Sequence, residues 1–259
     1  MERKLLSSVL VFLLLIGLTG LHPADPTRLD LYLLIGQSNM AGRGSLSEGD
    51  TNPDPNLWVI NSENKWVPAV DPLHFDKPTV VGVGPGMAFA KTVQAAHPKR
   101  KVGLIPCAVG GSGIDDWQPG VKHGQTGIYA YDAMLERVKL ARQSGRLKGI
   151  LWHQGENDSR PDKRAQYEEK LTAFFARVRK DLNCSKTPIL IGTLADFYTE
   201  RNPEGAKINS ILTNYAASHP NVYVASSADL THKGDSVHFD TQSAQELGRR
   251  FARAFLERK

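Results

Sequence analysis

Cysteine is scarce in this chain, with only Cys107 and Cys184 among 259 residues. Their spacing excludes a CxxC metal or redox motif, and the segments around them read as a strand end and a helix end. His74, His123, His153 and His232 show no pairing at metal-ligand spacing, so neither a metal nor a cofactor is expected. Charge of one sign is also lacking. Lys and Arg total 32 against 27 Asp and Glu, a net +5 spread along helical segments, which gives no basic stripe for a nucleic acid. No internal repeat or low-complexity tract interrupts an ordinary globular composition. There is no G-x-S-x-G elbow, which argues against the α/β-hydrolase fold. No apolar run reaches the roughly 20 residues that a spanning helix needs.

What is present begins at the amino terminus. Arg3 and Lys4 precede a short apolar stretch over residues 5–18, and Gly20, Pro23 and Ala24 follow. That order of basic, apolar and small residues reads as a secretory signal over residues 1–24. The protein is therefore expected to be secreted or periplasmic, with membrane contact only through an uncleaved N-terminal anchor. Residues 25–259 read as one domain, because no shift in composition marks a boundary. Short apolar runs at 31–35, 57–60, 102–109, 149–153, 188–194 and 222–225 read as strands. Helical patterns fall between them at 87–96, 129–143, 162–182, 204–218 and 241–256. Alternating strands and helices predict an α/β fold, a three-layer α/β/α sandwich with a central parallel sheet. The polar stretch from 43 to 86 is long enough to be functional.

Polar clusters follow three of the strands: Gln37-Ser38-Asn39, Gly110-Gly111-Ser112 and Gln154-Gly155-Glu156. All three emerge at the carboxyl ends of parallel strands, the edge where open α/β sheets place ligands. A fourth cluster, Gly234-Asp235-Ser236-Val237-His238, precedes the closing helix. Asp235 and His238 are three residues apart, so the carboxylate can turn back onto Nδ1 of the imidazole. A serine hydroxyl needs a base to take its proton, and that base needs a partner to fix its tautomer. Ser38, His238 and Asp235 supply those parts, while Glu156 is a second candidate for the orienting carboxylate. Gln37 and Asn39, flanking Ser38, are candidates to contact substrate. Trp117, close behind the glycine pair, is the candidate sugar-facing wall.

These blocks, Gly36-Gln-Ser38-Asn-Met-Ala-Gly42, Gly110-Gly-Ser-Gly-Ile-Asp-Asp-Trp117, Trp152-His-Gln-Gly-Glu156 and Asp235-Ser-Val-His238, resemble in order those of the SGNH hydrolases. More narrowly they resemble the sialate O-acetylesterase and acetylxylan esterase branch, carbohydrate esterase family 6. The resemblance implies a flavodoxin-like strand order and removal of acetyl groups from an acetylated oligo- or polysaccharide. The broader superfamily commonly has Asp and Asn where this chain has Gln37 and Gln154. The oxyanion donors are then expected to be the N–H groups of Ser38 and Gly111 and the side-chain amide of Gln154. Two rival functions are a non-catalytic carbohydrate-binding relative and an esterase or thioesterase for longer acyl chains. The intact Ser38, His238 and Asp235 argue against the first. The polar character of residues 43–86 argues against the second.

Overall fold

The apolar run at 31–35 forms the centre of strand β1 (Leu29–Gly36), buried at every position except Asp30. The computed structural model describes residues 28–258, and the N-terminal segment read as a signal lies outside them. Strands β2 (Leu57–Ile60), β3 (Trp66–Pro68), β4 (Val102–Pro106), β5 (Gly145–His153), β6 (Ile189–Gly192) and β7 (Val222–Ala225) join β1 in one sheet. Its order is β3-β2-β4-β1-β5-β6-β7, and every pair is parallel except β2 with β3. Setting aside the β2–β3 hairpin at one edge, the order is that of a flavodoxin-like sheet. Strand β3 has no counterpart among the apolar runs of the sequence. It is three residues long, ends in Pro68, and sits where a proline is tolerated, at the sheet edge.

The helices are α1 (Ser38–Ala41), α2 (Pro85–Ala96), α3 (Ala130–Ala141), α4 (Pro161–Asp181), α5 (Asp196–Thr199), α6 (Pro203–Ser218) and α7 (Thr241–Leu256). Successive side chains of β1 point to opposite faces, as the pleat requires. Tyr32 and Leu34 pack with Met87 and Phe89 of α2 and Phe251 and Phe255 of α7. Leu31, Leu33 and Ile35 pack with Val138 of α3, Phe174 of α4 and Leu212 of α6. Burying each such side chain stabilises the fold by roughly 1.5–3 kcal/mol. Proline at the start of α2, α4 and α6 presets the first turn of each. Helix α7 is capped by Asp240, whose Oδ1 accepts the Ser243 amide at 2.8 Å.

Cys107 and Cys184 are both free thiols. Among the described residues no helix is long and apolar enough to cross a membrane. For function the decisive feature is the middle of the sheet. Strands β4, β1 and β5 are neighbours. The segments that leave their carboxyl ends therefore lie side by side.

Candidate active site

Gly36 sets the position of Ser38. Its φ is +132°, and a Cβ there would sit 2.0 Å from the His153 carbonyl oxygen. Only glycine lets the chain lie so close to β5. The Gln37 amide then donates to that same oxygen at 2.9 Å. Ser38 opens α1, so its N–H has no intrahelical acceptor. His238 reaches it from a turn between β7 and α7, with Nε2 2.9 Å from the Ser38 hydroxyl. The other ring nitrogen lies 2.7 Å from Asp235 Oδ2. A carboxylate at Nδ1 places the proton there and leaves the Nε2 lone pair facing the hydroxyl.

Asp235 Oδ1 accepts the amides of Val237 at 3.0 Å and His238 at 2.8 Å. Partial burial pushes its carboxyl up, but hydrogen bonds from the His238 amide and ring and the Val237 amide outweigh it. They hold the group at about 2. The turn is shaped from within as well. His232 Nδ1 accepts the amides of Gly234 and Ser236 at 2.9 and 3.2 Å, and Lys233 N–H donates to the His238 carbonyl at 2.9 Å.

Behind Ser38 lies a denser set of bonds. Gln37 Oε1 faces three donors: Gln154 Nε2 at 3.2 Å, the Gly155 amide at 3.5 Å and the Asn157 amide at 3.4 Å. Three donors around one atom identify it as the oxygen. The amide nitrogen of Gln37 therefore faces the opposite way, with no acceptor among the described residues. Asn39 donates to Glu156 Oε1 at 2.7 Å and to the Val237 carbonyl at 3.0 Å, and its oxygen accepts the Phe239 amide at 3.2 Å. One side chain thus joins the serine segment, the segment after β5 and the histidine turn. Among the described residues, no group of three or more His, Cys, Asp or Glu is placed to hold a metal ion.

Residues 28–257 match the family model described as carbohydrate esterase, sialic acid-specific acetylesterase. The chain belongs to this family. It is a carboxylic ester hydrolase of the carbohydrate esterase type. It is 31% identical over 256 residues to the Arabidopsis thaliana protein described as "Probable carbohydrate esterase At4g34215", covering 90% of this chain and 92% of that one. The crystal structure of that plant protein superposes with a TM-score of 0.78 at 28% identity, over 88% of this chain and 97% of the other. NanS shares the fold, with a TM-score of 0.72 at 18% identity over 90% and 98% of the two chains. So does XAC1771 of Xanthomonas citri, a carbohydrate acetylesterase. Its TM-score is 0.67 at 22% identity, over 87% of this chain and 55% of that one.

In this carbohydrate esterase several side chains lie elsewhere than their place in the sequence predicts. Trp117 is not a sugar-facing wall. It is fully buried, donates from Nε1 to Ser112 Oγ at 3.1 Å, and packs edge-on against Trp152 and Phe174. Gln154 is also fully buried. Its Nε2 donates to Asp158 Oδ2 at 2.6 Å, to the Ser112 carbonyl at 3.2 Å and to Gln37, which leaves no proton for an oxyanion. Asn39 is wholly engaged with protein partners and positions the loops instead of meeting substrate. Glu156 braces Asn39, while the carboxylate on His238 is that of Asp235.

Gly111 has a φ of +85°, and a Cβ there would meet Gln125 Oε1 at 3.1 Å. Its backbone N–H has no acceptor among the described residues. Its carbonyl accepts from Asn157 Nδ2. Two further contributors carry little or no sequence signal. Asp76 Oδ2 accepts the Gly110 amide at 2.6 Å and pairs with Arg43 Nη2 at 3.4 Å, both side chains being buried. The pair anchors the glycine turn from beneath. Arg43 follows the Ser38 block directly, which is its only signal, and Asp76 has none.

Proposed function

We propose that this carbohydrate esterase removes acetyl groups from O-acetylated sugars by an acyl-enzyme route in which Ser38 is the nucleophile. Ser38 Oγ attacks the ester carbonyl carbon while His238 Nε2 takes the hydroxyl proton. The ionised Asp235 holds the imidazole in the required tautomer and stabilises the imidazolium. The developing oxyanion meets the N–H groups of Ser38 and Gly111 and the free amide nitrogen of Gln37. When the tetrahedral species collapses, the bond to the sugar oxygen breaks and His238 returns its proton there. Water, deprotonated by His238, then attacks acetyl-Ser38, and as the bond to Ser38 Oγ breaks His238 returns the proton to that oxygen and acetate leaves.

The observation that carries this reading is the unbroken hydrogen-bond chain from Ser38 Oγ through His238 to Asp235, at 2.9 and 2.7 Å. The family match supports the acetyl ester and the carbohydrate. The basic-apolar-small order of residues 1–24 supports action after export, in the periplasm or outside the cell. Purified protein is expected to release acetate from an aryl acetate and from an acetylated sugar. Ser38→Ala should lower kcat/KM by about 10⁴-fold or more with an unchanged melting temperature. Equal activity in that variant contradicts the nucleophile assignment. Rates that climb with acyl length contradict the acetyl-sugar reading.

A further inference from the structure

Gly110 and Gly111 both lack a Cβ, so the peptide between them can turn over at little steric cost. That peptide carries the Gly111 N–H, one of the proposed oxyanion donors, and a turned peptide would present a carbonyl in its place. Both of its neighbours are held. On one side the Gly110 amide donates to Asp76 Oδ2 at 2.6 Å. On the other the Gly111 carbonyl accepts from Asn157 Nδ2. The Asn157 carboxamide has one orientation, because Lys163 Nζ lies 2.9 Å from its Oδ1 and an ammonium can only donate. The oxygen therefore faces Lys163 and the nitrogen faces Gly111. Asn157 sits in the middle of a 3-10 turn, Glu156–Asp158, just past the end of β5. Each residue of that turn bonds to other segments. Glu156 Oε1 accepts from Asn39 at 2.7 Å, while Asp158 Oδ2 accepts the Ile114 amide at 2.9 Å and the Gln154 side chain at 2.6 Å. The Asn157 backbone N–H lies 3.4 Å from Gln37 Oε1, one of the three donors that turn the Gln37 nitrogen the other way.

We propose that Asn157, oriented by Lys163, is a positioning residue that fixes the Gly111 N–H toward the oxyanion and steadies Gln37 beside it. The inference rests on the acyl-enzyme reading above. Neither side chain is asked to touch the reacting atoms: the Asn157 carboxamide is engaged at both ends, by Lys163 and by Gly111. Its effect is to spare the site a reorganisation. A donor already aimed at the developing charge is worth far more than one that must first turn, and a misplacement on the order of 1 Å can cost about 10²-fold in rate. Asp76 alone leaves the far side of the turn loose, since its bond is to the peptide before Gly110. The side chain of Asn157 serves only Gly111. Its backbone N–H, which faces Gln37, survives substitution, so exchanging the side chain isolates the Gly111 arm.

The test is steady-state hydrolysis of an aryl acetate together with inhibition by methylboronic acid, which forms a tetrahedral adduct on an activated serine. Asn157→Ala should lower kcat by about 10- to 100-fold with KM within about twofold of the parent. Lys163→Met frees the carboxamide to turn and should lower kcat by about three- to tenfold, and Lys163→Arg, which still donates, should recover most of that loss. Across the series the boronic acid should lose affinity in proportion to kcat, because its adduct sets an oxygen against the same donors. A purely structural asparagine would lower the melting temperature and leave the boronate affinity of the folded protein unchanged. Parent-like kcat in Asn157→Ala, or lost kcat with unchanged boronate affinity, overturns the inference. A raised KM with kcat retained also overturns it and makes Asn157 a substrate contact. If Asn157→Ala does not fold, the lysine pair decides: equal kcat in Lys163→Met and Lys163→Arg overturns the inference. Should Ser38→Ala keep parent activity, the acyl-enzyme reading falls and takes this inference with it. Should Ser38→Ala be inactive while Asn157→Ala matches the parent, this inference alone falls.

Discussion

Ser38 and His238, the proposed nucleophile and its base, are held in different ways. Around Ser38 the supporting side chains are buried: Gln37, Asn39, Gln154 and Glu156 are all under 9% exposed, and their hydrogen bonds tie the segments after β1, β4 and β5 together. The turn that carries His238 is a surface feature. The Asp235 side chain is 38% exposed and that of His238 25%, and most of their bonds stay within residues 232–239. Asn39 is the main link between the two regions. The serine side is thus built for position, since its buried polar groups tolerate little rearrangement. The histidine side is held by local turn chemistry and can be altered without disturbing the core.

Substitutions can break this contrast, and the largest effect is expected on the exposed side. Asp235→Asn should lower kcat by roughly 10³–10⁴-fold, because the imidazole loses its tautomer and its counter-charge. The melting temperature should move little, since an asparagine Oδ1 can still accept the Val237 and His238 amides. A large drop in melting temperature would show that the turn supports the fold. Glu156→Gln should act oppositely, costing stability through Asn39 more than it costs the histidine its orientation.

The next effect sharpens the buried side. Gln37→Ala should lower kcat by about 10²–10³-fold, the loss of one oxyanion donor, and should also lower the melting temperature by leaving the Gly155 and Asn157 amides unmet. Gln154→Ala should lower the melting temperature without that loss in kcat, by leaving the Asp158 carboxylate and the Ser112 carbonyl without their partner. If Gln154→Ala matched the Gln37→Ala loss in kcat with an unchanged melting temperature, the donor assignment would have to be exchanged.

A smaller effect concerns the loop that carries Asp76. Burial first, and then repulsion from Asp50, raise the buried Asp71 carboxyl from 3.8 to about 7. The folded state therefore holds this proton more tightly than the unfolded chain. Stability falls as pH rises from about 4, and the cost is complete above about 7. Asp71 Oδ1 has no partner, so the charge that the carboxylate carries above about pH 7 is uncompensated, and asparagine removes that charge. Asp71→Asn should raise the melting temperature relative to the parent by several degrees at pH 8 and by much less at pH 5. A constant offset between the two pH values would contradict the shift.

Much of the architecture is legible in the sequence because it depends on periodicity. Short apolar runs separated by helical patterns lead directly to the parallel sheet, and the strand-end clusters fall together as expected. The misplaced side chains share a different cause. Trp117 and Gln154 lie in the right segments, but which way a side chain turns is decided by local backbone. A 3-10 turn over Ile114–Trp117 carries the tryptophan inward onto Trp152. Gly155, at a φ of +150°, redirects the chain just after Gln154. The free nitrogen of Gln37 is recognisable only from the three donors around its oxygen. Asp76 is hidden because its partner, the Gly110 amide, lies 34 residues further along the chain.

Activation of Ser38 by His238 is read out by covalent labelling. Incubation with an aryl phosphonate ester that traps activated serines, followed by peptide mass mapping, should place a single adduct on Ser38. His238→Ala should slow that labelling by orders of magnitude while the fold is retained. Adduct on another serine, or labelling of Ser38 that is indifferent to the loss of His238, would contradict that activation.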